Sequence, residues 1–273
     1  MIKIHYKRLL FYSALSIIFL QACTKNNINA SNLYSVGYYT ASMSPAFLVP
    51  GDTTSNVHAW GTFDLKTDSN LYYDVYFDHP MSGQTPNGII FYSGDPVSNG
   101  NSVLNISNIS FINNEATGKI AINKSQRDSI VNKALMYVVV TSASQPNGIV
   151  RGQQMNGYQI GFGKDVSLIP KGANASLAAR GLAMVRLLSD GVTLYSELSL
   201  SNLQNGDALT VAQICSSVDS SVVVSLYTNN AGYNTTLSQT INGTIASNLQ
   251  RPGYYFIAIK TKLYPKGLLW GSF

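Results

Sequence analysis

Tyr137-Val138-Val139-Val140, followed shortly by Pro146-Asn147-Gly148-Ile149-Val150-Arg151-Gly152, reads as two strands joined by a tight turn. The first run is continuous and β-branched, which favours extended backbone. Pro146 fixes its own φ and Gly148 can take a positive φ, so Pro146-Asn147-Gly148 reverses the chain into a hairpin. Gly152, having no side chain, leaves room for a neighbouring backbone or a bulge. The pattern returns as Phe256-Ile257-Ala258-Ile259 and Pro265-Lys266-Gly267-Leu268-Leu269-Trp270-Gly271, offset by 119 residues at every position. Residues 103–111 and 222–230 keep that offset. Further upstream Leu71-Tyr72 aligns with Leu194-Tyr195, Gly61 with Gly181 and Gly118 with Gly243. A register shared over several segments marks an internal repeat. Two copies are expected, over 36–153 and 159–273, the second without the short helix that follows Gly118 in the first.

Outward from the hairpins the periodicity stays that of strands. Segments 71–77, 118–122, 194–200, 209–215 and 254–259 are short, β-branched or aromatic, and bounded by Asn, Gly, Ser or Pro. Only 124–131 reads as helix, with Ser125 as its cap. Many short strands at regular spacing predict an all-β chain of sandwich or barrel type. Copies of roughly 110 residues suit small domains.

The amino end is of another kind. Lys3, Lys7 and Arg8 precede an apolar run over 9–20, which ends in Leu20-Gln21-Ala22-Cys23. A basic stretch, a short apolar core and small residues describe a secretory signal, over 1–22. The run falls short of the ~20 residues of a spanning helix. Leu20-Gln21-Ala22-Cys23 resembles the lipobox of bacterial lipoproteins, which implies cleavage before Cys23 and lipid on that cysteine. Residues 23–35 are then the tether, and the expected place is the cell envelope, lipid-anchored to the outer membrane. Several acyl chains, each CH₂ contributing ~0.8 kcal/mol, hold a protein firmly on a bilayer.

Without Lys3, Lys7 and Arg8 the 18 basic residues become 15, against 13 acids, a net charge of +2. No basic stripe remains for nucleic acid. The chain has two cysteines, so lipid on Cys23 leaves Cys215 alone, expected as a buried thiol.

Residues 135–153 resemble the end of the CHRD domain, named after chordin, in Pro146, Asn147, Gly148, Ile149, Arg151, Gly152 and Gln153. The resemblance extends to Gly118-Lys119-Ile120 and to the loop Gly94-Asp95-Pro96-Val97-Ser98-Asn99-Gly100. It implies a β-sandwich of immunoglobulin-like appearance and an extracellular, non-enzymatic role. The expected architecture is thus two tandem immunoglobulin-like sandwiches, the second degenerate, with Trp270 where Arg151 stands. Members of the family commonly carry a His-x-His pair and a later histidine. Those places hold Ile90, Tyr92 and Val140 or Thr141 here, which implies that any metal site is lost.

Nothing else assembles a catalytic, cofactor or metal site. Only His58 and His79 lie beyond the signal, and neither Gly-x-Ser-x-Gly nor an Asp-x-Asp-x-Asp-Gly run occurs. Asp74, Asp78 and Asp95 read as solvated turn acids. Arg151 is expected to pair with an acid of its own fold, the other reading being a partner's carboxylate or glycan. Tyrosine is abundant, at 17 residues, and in Tyr72-Tyr73 and Tyr254-Tyr255 one ring must face outward. The first expectation for function is an adhesion or scaffold module binding an envelope protein. The alternative is a glycan-binding accessory protein that uses exposed tyrosines, Trp60 and Trp270; an enzyme or metal carrier comes last.

Overall fold

The computed structural model describes residues 33–52, 54–79, 85–132, 135–155, 158–229 and 232–273. The signal segment 1–22, Cys23 and the tether as far as Ser31-Asn32 lie outside the described residues. Sixteen antiparallel strands and two short helices make up the described chain.

The first half is a sandwich. One sheet runs in the order β1 (Ser35–Met43), β2 (Ala59–Lys66), β3 (Asn70–Phe77) and β6 (Glu115–Ala121). The other runs β5 (Asn101–Ser107), β4 (Pro86–Ser93), β7 (Leu135–Ser142) and β8 (Val150–Met155). Alternation sends one face of each sheet inward. Phe63, Leu65, Leu71, Val75 and Phe77 meet Ile89, Phe91, Met136, Val138 and Val140 in one core. Phe63 packs edge-on against Phe91, with ring centroids 4.8 Å apart, and joins the sheets at the centre.

Strands β9 (Ile160–Pro170), β10 (Arg180–Leu188), β11 (Thr193–Ser201) and β14 (Leu237–Thr240) take the same order in the second half, as do β13 (Val222–Thr228), β12 (Leu209–Ser216), β15 (Tyr255–Thr261) and β16 (Leu269–Ser272). Here β16 also pairs with β9, through Leu269 with Pro170 and Trp270 with Ile169, so eight strands form one sheet folded over its core. At the same corner of the first half a single bridge, Ser44 with Arg151, joins the sheets. The hairpin hydrogen bonds also recur 119 residues on. Ile149 N donates to Val140 O at 2.7 Å, and Leu268 N to Ile259 O at 2.7 Å. Gly148 and Gly267 stand at φ 128° and 124°, a region that L side chains rarely adopt.

Two expectations about helices need correction. Helix α1 (Lys124–Asn132) is capped by Asn123, not Ser125. Asn123 Oδ1 accepts from Gln126 N at 2.9 Å, and Gln126 Oε1 accepts from Asn123 N at 3.0 Å. That reciprocal pair satisfies two N–H groups that the helix itself cannot, and Ser125 already lies inside the first turn. The second half does not lack a helix: α2 (Gly243–Leu249) sits between β14 and β15, as α1 sits between β6 and β7. Asn242 caps it by accepting from Thr244 N at 2.8 Å. Gly118 and Gly243 are therefore not equivalent, since one lies within β6 and the other opens α2. Among the described residues no helix is long and apolar enough to cross a membrane.

The halves touch through the loop that follows β1. Arg186 and Asp165, on β10 and β9, form a buried ion pair at 2.6 Å. Arg186 Nη2 also donates to Leu48 O at 2.8 Å, and Asp165 Oδ2 accepts from Gly51 N at 2.6 Å. Phe47 packs with Ile160 and Leu188 beside them.

Candidate functional site

Pro146, Asn147 and Gly148 form the β7–β8 turn and hold Ile149 at the head of β8. The turn is tight: a Cβ on Gly148 would lie 2.6 Å from the Val139 side chain. From there β8 sends Arg151 and Gln153 to the outer face of its sheet and Gly152 to the inner one. The inner position is close against β1, where a Cβ would come 2.5 Å from Ser42 O.

Arg151 is almost wholly buried, at 1 % exposure. Its guanidinium donates to Ser98 O at 3.1 Å and to Asp95 O at 2.6 Å. It also lies 3.6 Å from the centroid of the Tyr137 ring, a cation–π contact. Tyr137 stacks in turn on Tyr92, with centroids 5.0 Å apart. Gln153 Nε2 donates to Gly94 O at 2.8 Å, and Gly100 N donates to Tyr137 Oη at 2.9 Å. One face of β7 and β8 thus grips both ends and the middle of loop 94–100. Burial pulls the Arg151 pKa down to about 10, against the favourable charge of Tyr137 and Asp95.

The expected acid partner of Arg151 is not what the structure has. Arg151 is held by main-chain carbonyls, while the Asp95 carboxylate accepts from Val97 N at 2.9 Å and from Thr236 Oγ1 at 2.8 Å. The turn at 95–98 aims its carbonyls inward and its carboxylate at the second half. Trp270, at the corresponding place on β16, is half-buried over Gly267. The turn 217–221 on that side is shorter than loop 94–100 and offers no loop for an arginine to grip.

A cleft of about 450 Å³ lies beside Arg151, between Tyr92, Tyr137, Asn99 and the 48–50 loop. Ile90, Tyr92 and Thr141 share this outer face of β4 and β7, and none brings an imidazole to it. His58 and His79 are exposed on another edge, where Asp78 Oδ1 accepts from His58 N at 3.1 Å and lies 3.5 Å from His79 Nδ1. Among the described residues no three His, Cys, Asp or Glu side chains converge as metal ligands would. Cys215 is buried, and burial pushes its thiol pKa up.

The outer face of the first sheet is open to solvent. Trp60 on β2 and Tyr76 on β3 are directly opposite in register, each 47 % exposed. Tyr38 and Tyr72 flank Asp64 from either side. Of each adjacent tyrosine pair one ring faces out: Tyr72 while Tyr73 packs on the core, and Tyr254 while Tyr255 is buried. Sequence reasoning missed the stack of Arg151, Tyr137 and Tyr92, and with it Gln153 as a clamp. The i, i+2 spacing of Arg151 and Gln153 was the available sign.

Fold and site define the class: an antiparallel all-β sandwich whose arginine-bearing strand secures a glycine-bounded loop on its own surface. Within that class, residues 39–154 match the family model of the CHRD domain. The match supports a binding or structural role. Among curated proteins none matches the chain.

Proposed function

We propose that this protein is a lipid-anchored, non-catalytic binding protein of the cell envelope, held on the outer membrane through Cys23. The second half, 159–273, is on this reading a diverged copy of the CHRD domain that braces the first. One observation carries the binding role. The polar motif residues Arg151 and Gln153 are spent on the protein's own loop, whereas aromatic rings on the first sheet remain exposed. Chemistry turned inward builds a scaffold, and exposed rings among polar neighbours suit docking.

Two measurements test this. Metabolic labelling with an alkyne fatty acid should mark the wild type and miss Cys23→Ser, which should leave the membrane fraction. An unlabelled wild-type chain would remove the anchor. A chain lacking residues 1–23, used as bait against envelope proteins and glycans, should retain a ligand that Trp60→Ala with Tyr76→Ala loses. Retention that ignores those changes would move the docking surface elsewhere.

A further inference from the structure

The outer face of the first sheet has a shape that follows from its register. Three rows of side chains cross the strands. Trp60, Tyr76 and Glu115 make the first row. Thr40, Thr62, Asp74 and Thr117 make the second. Tyr38, Asp64, Tyr72 and Lys119 make the third. Short side chains thus run between two rows that carry aromatic rings, which leaves a trough across the sheet. A depression of about 430 Å³ lies along its Tyr72 side, against Thr62, Asp64, Tyr72, Asp74, Thr117 and Lys119, with the Trp60–Tyr76 row beyond its opposite margin. With strands ~4.8 Å apart, the four-stranded floor is about 14 Å across. At the β1 end Gln159 Nε2 donates to Thr40 Oγ1 at 2.8 Å and closes the trough. The other end opens at β6, the edge strand.

We propose that this trough binds a neutral glycan chain, with Trp60 and Tyr76 stacking on sugar rings and Asp74, Thr62 and Thr117 bonding their hydroxyls. The proposal rests on the binding role above and names its ligand class. Charge selects the ligand. Asp74 and Glu115 flank the exposed Trp60–Tyr76 pair on the same face of the sheet, and carboxylates accept hydroxyl protons but repel anionic polymers. The lysines of this face, Lys66 and Lys119, lie over the Tyr72 ring, 4.3 Å and 5.6 Å from its centroid. Tyr72 Oη also donates to Asp68 at 2.9 Å, so that wall is fixed before any ligand arrives. A pre-set wall reduces the ordering cost of binding. A protein partner fits less well. Stable protein interfaces need about 800 Å² per side with a dry apolar centre, and here the centre is a row of Thr and Asp.

The test uses the full-length chain in detergent micelles and native affinity gels. The gels are cast with neutral polysaccharides (a β-glucan, a glucomannan, a xylan) or with anionic polygalacturonate. At least one neutral gel should retard the chain. Trp60→Ala and Tyr76→Ala should each weaken that retardation at least tenfold, and Thr62→Arg should abolish it by filling the trough. Tyr254→Ala, which removes an exposed tyrosine of the second half, should leave it unchanged. Circular dichroism of each variant checks that the fold is kept. Retardation by no neutral gel, by polygalacturonate alone, or with equal strength in Trp60→Ala overturns the proposal. If envelope proteins are still retained in that case, the binding role stands and only the glycan falls; if nothing is retained, both fall.

Discussion

Arg151 brings a full positive charge to 1 % exposure with no carboxylate in contact. Two carbonyls and the face of Tyr137 replace the water it gives up, as a buried charge requires. Arg151→Met keeps much of the volume and leaves both carbonyls unpaired. It should lower unfolding stability by about 3 kcal/mol, read from denaturant titration. A loss below about 1 kcal/mol would mean that loop 94–100 holds itself. Tyr227 has the opposite electrostatic character. Its hydroxyl lies 2.8 Å from Ser196 O and 3.0 Å from Thr235 O, and burial pushes its pKa up to about 12 from 10.0. The folded chain keeps this proton where the unfolded chain releases it. The stabilisation is therefore full below pH 10 and drains away as pH rises from 10 to 12. Tyr227→Phe should remove roughly 2 kcal/mol of that alkaline slope, at the cost of about 1 kcal/mol at neutral pH. Identical slopes in both chains would show that Tyr227 does not titrate in that window.

Among the elements, the hairpins were the most legible in sequence. Pro146-Asn147-Gly148 and Pro265-Lys266-Gly267 announce their turns because backbone geometry leaves few other residues that fit. Tyr72-Tyr73 was readable for a similar reason, since the two-residue period forces one ring outward. Helix α2 was hidden, because Gly243, Thr244, Ser247 and Asn248 are poor helix formers and its support is tertiary: Ala246 and Leu249 are buried in the second core. The partner of Arg151 was invisible for another reason. A side chain that binds main-chain carbonyls leaves no complementary residue type in the sequence. Gly152 offers a test at this scale. A Cβ there meets a strand backbone, which cannot swing aside as a flexible side chain could. Gly152→Ala should destabilise the chain by about 2 kcal/mol or force β1 away from β8. Wild-type stability in that variant would show that the two strands have slack.

For the whole molecule, the joint between the halves rests on few groups. Asp165 neutralises Arg186 and accepts from Gly51, so one carboxylate binds both its own sandwich and the neighbouring loop. Asp165→Ala leaves a buried guanidinium without its counter-charge, at a cost of about 3 kcal/mol or more. The intact chain should unfold in a single calorimetric transition, and the variant in two. Two transitions in the unaltered chain would show that the halves are independent. The trough proposed for glycans could not have been found from composition, because it depends on cross-strand register between β2, β3 and β6. The tyrosine count hinted at exposed rings without saying which ones line up. Strand β1 gives the arrangement one further property. It is paired with β2 along its length, from Ser35 with Lys66 to Met43 with Ala59. A pull on the amino end directed along β1 would load those hydrogen bonds together in shear instead of peeling them singly, so the first sheet is built to bear tension from the end where the chain enters it.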